Sequence, residues 1–168
     1  MTQDEGRFGC VNEIRRCWAP MGTRPNIPKH YVREYVYAYT AVAPKLGKMT
    51  SLILPYSNSD MMNIFLEHVS NEFSNYFIIM QLDQAPWHMS DKIKKPYNIE
   101  FIPQPPCAPE LNPTEHVWED IREKDIPNTG FKLIKKLKDA LSDGLNRLAN
   151  STEYLRSMTL FPHLDINL

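Results

Sequence analysis

The stretch that most limits what this chain can fold into is Phe77-Ile78-Ile79-Met80, which leads into Leu82-Asp83 and is broken by Pro86. A short, continuous apolar run of this kind predicts a central strand covered on both faces. An acid directly after it is costly to place unless it is paired or ligates a cation. Asp83 therefore has two readings, a residue that turns the chain or a carboxylate that serves a divalent-metal site. Further on, Pro103-Gln104-Pro105-Pro106 rules out another central strand at that point. Asn112-Pro113 then predicts a helix start, because Asn caps and Pro suits the first turn.

The elements around this stretch follow from periodicity. Phe8 to Val11 predicts a short strand, and Cys17-Trp18 the opening of another, with Trp18 and Trp118 expected in the core. Tyr35, Val36, Tyr37, Tyr39, Thr40 and Val42 predict a strand, Lys45-Leu46-Gly47-Lys48 a hairpin turn, and Met49 to Leu54 the partner strand. Ser57 or Ser59 caps a helix to about Phe73, whose Met62, Phe65, Leu66 and Val69 share a face. Asp91 to Lys95 is read as a helical turn and Ile99 to Ile102 as a strand. A helix is expected from Pro113 to about Lys124, with Val117, Trp118 and Ile121 inward. After the break at Pro127-Asn128-Thr129-Gly130, Phe131 to Leu148 forms an amphipathic helix. This order describes an α/β protein with a mixed sheet flanked by helices.

At 168 residues the chain can bury one sizeable core, and 42% hydrophobic with 23% charged residues suits a soluble globular protein. No membrane span or secretory leader is legible, which makes the cytoplasm the expected location. The 3 cysteines form no C-x-x-C pair, so neither a disulfide framework nor a zinc site is indicated. A net charge of −1 argues against strong nonspecific nucleic-acid binding while leaving room for local basic patches.

Hard divalent cations need carboxylate oxygens held on rigid elements. Besides Asp83, Glu115 is a candidate, although its local role is equally that of a capping-box acid returning a hydrogen bond to Asn112. Asp4, taken locally, belongs to a solvated terminus. His88 suits a proton shuttle, a phosphate contact or a ring packed beside Trp87. Lys132, Lys135, Lys136 and Lys138 form either a solvated helix face or phosphate contacts.

Leu82-Asp83-Gln84-Ala85-Pro86-Trp87-His88 and the run from Pro105 through Pro109-Glu110-Leu111-Asn112-Pro113-Thr114-Glu115-His116-Val117-Trp118 resemble the second and third catalytic motifs of DDE transposases of the mariner superfamily, in its bacterial insertion-sequence branch. Asp4-Glu5-Gly6-Arg7-Phe8-Gly9, with Trp18-Ala19-Pro20-Met21-Gly22-Thr23-Arg24-Pro25 after it, is similar to the first. Gln84 stands where that branch has Asn, and Cys107-Ala108 where it has Tyr-Ser; no carboxylate is lost.

The resemblance implies a ribonuclease H-like fold, a catalytic core over residues 1–125 and a helical extension over 126–168 packed on it. It makes Asp4, Asp83 and Glu115 the catalytic and metal-binding acids, with His88 as an accessory group. Two Mg²⁺ or Mn²⁺ ions would share Asp4, and the reaction is DNA strand cleavage followed by strand transfer of an insertion sequence. The implied partners are terminal-repeat and target DNA, a second copy of the chain on that DNA, and a separately encoded helix-turn-helix segment, with no membrane. Only Met1-Thr2-Gln3 precede Asp4, whereas the family's first acid lies near the end of a central strand. The first strand is accordingly expected to be truncated and Asp4 weakly anchored. That makes a catalytically inactive remnant, persisting as a DNA- or partner-binding protein, the alternative function.

Overall fold

The computed structural model describes residues 1–11, 18–23, 26, 32–126 and 130–165. Cys17, Arg24-Pro25 and the break at Pro127-Asn128-Thr129 lie outside them. The sheet has five strands in the order β3-β2-β1-β4-β5. They are β1 (Thr2–Gly9), β2 (Tyr35–Ala43), β3 (Lys48–Leu54), β4 (Ile78–Leu82) and β5 (Ile99–Pro103). The first three form an antiparallel meander. Helix α1 (Ser59–Glu72) then crosses over, so β4 returns parallel to β1 and β5 parallel to β4. Helices α2 (Thr114–Lys124), α3 (Ile134–Ala149) and α4 (Thr152–Thr159) complete the chain. This is the mixed, helix-flanked ribonuclease H-like arrangement that the motifs imply.

Side-chain alternation along the sheet sorts two cores. On one face Tyr39, Ala41, Met80 and Leu82 pack against Met62, Phe65, Leu66 and Val69 of α1. On the other, Phe8, Val36, Ala38 and Val42 meet Val117, Trp118 and Ile121 of α2, Leu137, Leu141, Leu145 and Leu148 of α3, and Leu155 of α4. Helix α4, which carries no strong sequence signal, joins the second core through that leucine. Arg147 of α3 binds Asp120 of α2 and Asp125 just beyond it, each at 2.5 Å, while Tyr154 of α4 donates to Asp120 at 2.5 Å. Helix α2 is therefore tied to both of its neighbours by charged hydrogen bonds as well as by packing.

Several expectations are corrected here. The first strand begins at Thr2, not near Phe8, and pairs with β2 along all eight of its residues, Asp4 opposite Thr40. Asp4 is thus anchored inside a ladder at the sheet's centre. The shortness of β1 shows only on its other side, where it meets β4 at the single pair Thr2↔Gln81, reinforced by the Met1 amino group donating to the Ile79 carbonyl at 2.7 Å.

Beyond that pair β4 is open. Ile79 is 51% exposed and Phe77 69%, bordering an apolar groove with Met1, Leu46, Phe73 and Ile102. One face of β4 is buried, not both. Trp18 is fully exposed rather than in the core, and it lies in no strand. Asn58, not either flanking serine, caps α1 by accepting from Met61 N at 2.9 Å. Asp91 to Lys95 makes turns without a helix.

Candidate active site

Asp4 lies on the central strand β1, and the residues around it allow a large ring to lie against that strand. A Cβ added to Gly6 would meet Phe8 Cε2 at 2.7 Å and Trp118 Cδ2 at 2.8 Å, so only glycine leaves room for the Trp118 indole. Phe8 meets that indole edge-on at 5.8 Å between centroids. From this seat Trp118 Nε1 donates to Asp4 Oδ2 at 2.8 Å. Burial pushes the Asp4 carboxyl up to about 7 against the pull of the indole hydrogen bond, and the charges of Glu115 and Glu5 push the same way.

Glu115 is the second residue of α2, and the start of that helix is pinned to β1 at the two residues that precede Asp4. Asn112 Nδ2 donates to the Gln3 carbonyl at 3.0 Å, and the Thr2 and Thr114 hydroxyls lie 3.0 Å apart. The capping-box alternative for Glu115 is not realised. The Asn112 amide bonds instead to the Pro109 carbonyl at 2.9 Å, and the Asn112 side chain accepts from Thr114 N at 3.1 Å.

Asp83 follows the last residue of β4. Its Oδ1 accepts from Ala85 N at 3.0 Å and lies 2.7 Å from His88 Nδ1. The His88 hydrogen bond holds this carboxyl below the ordinary range, outweighing its partial burial. His88 is itself fully enclosed, with Nε2 at 2.8 Å from Glu5 Oε1. Burial alone would lower its pKa, but the hydrogen bonds to Asp83 and Glu5 raise it to about 10. Both ring nitrogens face carboxylate oxygens, as the imidazolium requires. Of the roles open to His88 on sequence, packing beside Trp87 is present, at 5.7 Å between ring centroids.

Asp4, Asp83 and Glu115, drawn from β1, the end of β4 and α2, line one open cavity of about 350 Å³. Its far wall is the segment from Gln104 to Asn112. Gln104, 5% exposed, organises that wall: its amide donates to the Leu82 carbonyl at 2.8 Å, its side chain reaches the Ala108 carbonyl, and Gln84 Nε2 donates to its carbonyl at 2.9 Å. Gln84 therefore braces the wall. Cys107, on the same wall, adopts a left-handed φ of 57°. Lys132, Lys135, Lys136 and Lys138 are exposed and do not line this cavity.

Sequence reasoning missed Trp118 as a partner of Asp4, Glu5 as a partner of His88, and Gln104 as the organiser of the wall. The glycine after Asp4-Glu5 was the one local signal for the first of these. Among the described residues, no three His, Cys, Asp or Glu side chains converge on one point as a ready cage for a single ion. Three of the residues that line the cavity are carboxylates, the oxygen ligands that hard divalent cations select. Among the described residues Asp4 has no cationic partner, and its side-chain partner is the neutral Trp118 indole.

Residues 1–138 match the family model described as DDE superfamily endonuclease. The chain belongs to that family. A curated relative, "Uncharacterized protein y4pE/y4sA" of Sinorhizobium fredii, is 37% identical over 99 residues, covering 58% of this chain and 73% of that protein. Among solved structures, the Mos1 transposase paired-end complex with left transposon end is similar with a TM-score of 0.64 at 16% identity. The alignment takes in 95% of this DDE-family chain and 55% of that one. The Mos1 mariner paired-end complex with Mn aligns at a TM-score of 0.62 and 15% identity, again over 95% of this chain and 55% of that one. The chain thus spans about half the length of the Mos1 chains, and at these identities the likeness is one of fold.

Proposed function

We propose that this chain is the catalytic domain of a DDE transposase of the bacterial insertion-sequence branch, performing metal-dependent DNA strand cleavage and strand transfer. The observation that carries the proposal is the convergence of Asp4, Asp83 and Glu115 on one open cavity in a member of the DDE endonuclease family. In this reading Asp4, Asp83 and Glu115 would be the residues that hold two Mg²⁺ or Mn²⁺ ions. The ions, when bound, make a water or a DNA 3′-hydroxyl more acidic and offset charge on the leaving oxygen.

The chain's own residues do the rest. Trp118 holds one Asp4 oxygen, and the Asn112 and Thr114 pins keep Glu115 beside β1. The Gln104 wall gives the cavity its second side. Lys132, just before α3, and Lys135, Lys136 and Lys138 on it are proposed DNA contacts, and residues 126–168 a helical extension on the catalytic core. A homodimer on DNA, a separately encoded helix-turn-helix segment and a cytoplasmic location complete the reading. Among the described residues no helix is long and apolar enough to cross a membrane.

A second reading, a catalytically inactive remnant that binds DNA or a partner, has one observation on its side: β1 meets β4 at a single register pair. Nicking of DNA carrying the element's ends separates the two. The active reading expects product with Mg²⁺ or Mn²⁺, and none with chelator or with Asp83→Ala. Absence of product with either metal, even with a helix-turn-helix segment supplied, leaves the remnant.

A further inference from the structure

The face of β1 turned away from Asp4 carries a buried charge with no part in the chemistry above. Glu5 follows Asp4, so strand alternation points it toward the α1 side of the sheet. Its side chain is 5% exposed. A carboxylate in that position persists only if it is paired and hydrogen-bonded. Glu5 Oε1 receives Gln3 Nε2 at 3.1 Å and His88 Nε2 at 2.8 Å. From the other edge of the same imidazole, Nδ1 reaches Asp83 Oδ1 at 2.7 Å. The ring thus spans from the central strand to the loop after β4, with carboxylates at both ends.

The two ends differ in a way that gives the span a direction. Glu5 is fixed by its strand and by burial, whereas the Asp83 side chain is 52% exposed and begins a loop. Ala85 N donates to Asp83 Oδ1, which also lies 2.7 Å from His88 Nδ1, and the same ring nitrogen contacts the Asp83 backbone carbonyl at 3.2 Å; among the described residues Oδ2 takes no hydrogen bond. We propose that Glu5 and His88 form a positioning strap: the buried Glu5 fixes the imidazole, and the imidazole fixes Asp83 in one rotamer with its second oxygen free for a cation. The benefit to a cation rests on the metal-site reading given above, but the hold on Asp83 is a property of the metal-free protein. Outer partners of this kind orient ligands and change metal affinity by roughly 10- to 100-fold.

The test compares the wild type with Glu5→Leu, His88→Asn and the double variant, each checked for folding by circular dichroism. Side-chain couplings of Asp83, read by NMR without metal, report its rotamer, and electron paramagnetic resonance reports Mn²⁺ affinity. A single Asp83 rotamer in the wild type is expected to become an average in each variant. Mn²⁺ affinity is expected to fall about tenfold in each single variant, and no further in the double variant, because both act through one oxygen. A folded Glu5→Leu chain that keeps the single rotamer overturns the strap. If Glu5→Leu does not fold, His88→Asn decides on the same criterion. A wild type that binds no Mn²⁺ removes the metal reading, while the rotamer comparison still decides the strap.

Discussion

Asp4 and Asp83 line the same cavity, yet their surroundings push them in opposite directions. Asp4 is held by a neutral indole and crowded by Glu115 and Glu5, and its carboxyl rises to about 7. Asp83 is held by an imidazolium that Glu5 balances from behind, and its carboxyl falls below the usual range. Glu5 thus acts on both, as a repulsive charge toward Asp4 and as the anchor of the cation beside Asp83. The difference teaches that the protein supplies its own counter-charge for one acid and leaves the other to be neutralised by a proton or by an ion from solution.

The strongest way to break this comparison is to remove the indole. Trp118→Ala takes away a fully buried side chain and is expected to cost about 3–5 kcal/mol, measured by denaturant unfolding. Trp118→Phe keeps most of the packing and isolates the loss of the hydrogen bond to Asp4.

A second test uses pH on the metal-free chain. The folded Asp4 pKa lies above its unfolded value, so the folded state binds the proton more tightly. Stability should therefore fall as pH rises from about 4 to about 7, with a slope of at most about 1.4 kcal/mol per unit for one proton. Asp4→Asn should flatten that window, and divalent cation should restore stability above it. His88 acts in a later window. Its raised folded pKa gives stability that is complete below 6.5 and lost as pH approaches 10. Asp83 has the opposite sense, contributing above 3.8 and losing that contribution as pH falls. Unfolding curves across pH for the wild type, Asp4→Asn and His88→Asn separate the three.

Gly6→Ala sharpens the Asp4 half alone. The new methyl would press on Phe8 and Trp118, for an expected cost of about 1–3 kcal/mol, and would shift the indole off Asp4. Thermal unfolding reads the cost and tryptophan fluorescence the shift. Asn112→Ala should be milder, about 1 kcal/mol by the same measurement, because it loosens Glu115's helix without opening the core.

Local periodicity was enough for most of the frame. Met62, Phe65, Leu66 and Val69 on α1 and Leu137, Leu141 and Leu145 on α3 declare their faces without help from the rest of the chain, and all are buried. What local pattern could not supply was pairing at a distance. Thr2-Gln3-Asp4-Glu5-Gly6 has little of a strand's composition and becomes one because β2 offers a complete ladder. Glu115 was ambiguous because a cap and a ligand require the same residue at the start of a helix. The pairing of Glu5 with His88 joins residues 83 positions apart, beyond any periodicity. Trp18 failed as a core residue because ring size signals burial only where a surrounding element provides a wall. Ile79 failed because a continuous apolar run does not reveal which face of its strand stays uncovered.

The seat of Trp118 also makes the chain its own optical instrument. Indole emission responds to charge and hydrogen bonding at the ring nitrogen, and that nitrogen lies 2.8 Å from Asp4 Oδ2. With Trp18 and Trp87 replaced by Phe, the remaining emission would come from a buried indole bonded to one of the residues that line the cavity. Loss of a proton from Asp4, or arrival of an ion beside it, would then appear as a change in colour or intensity, without DNA, a label or turnover.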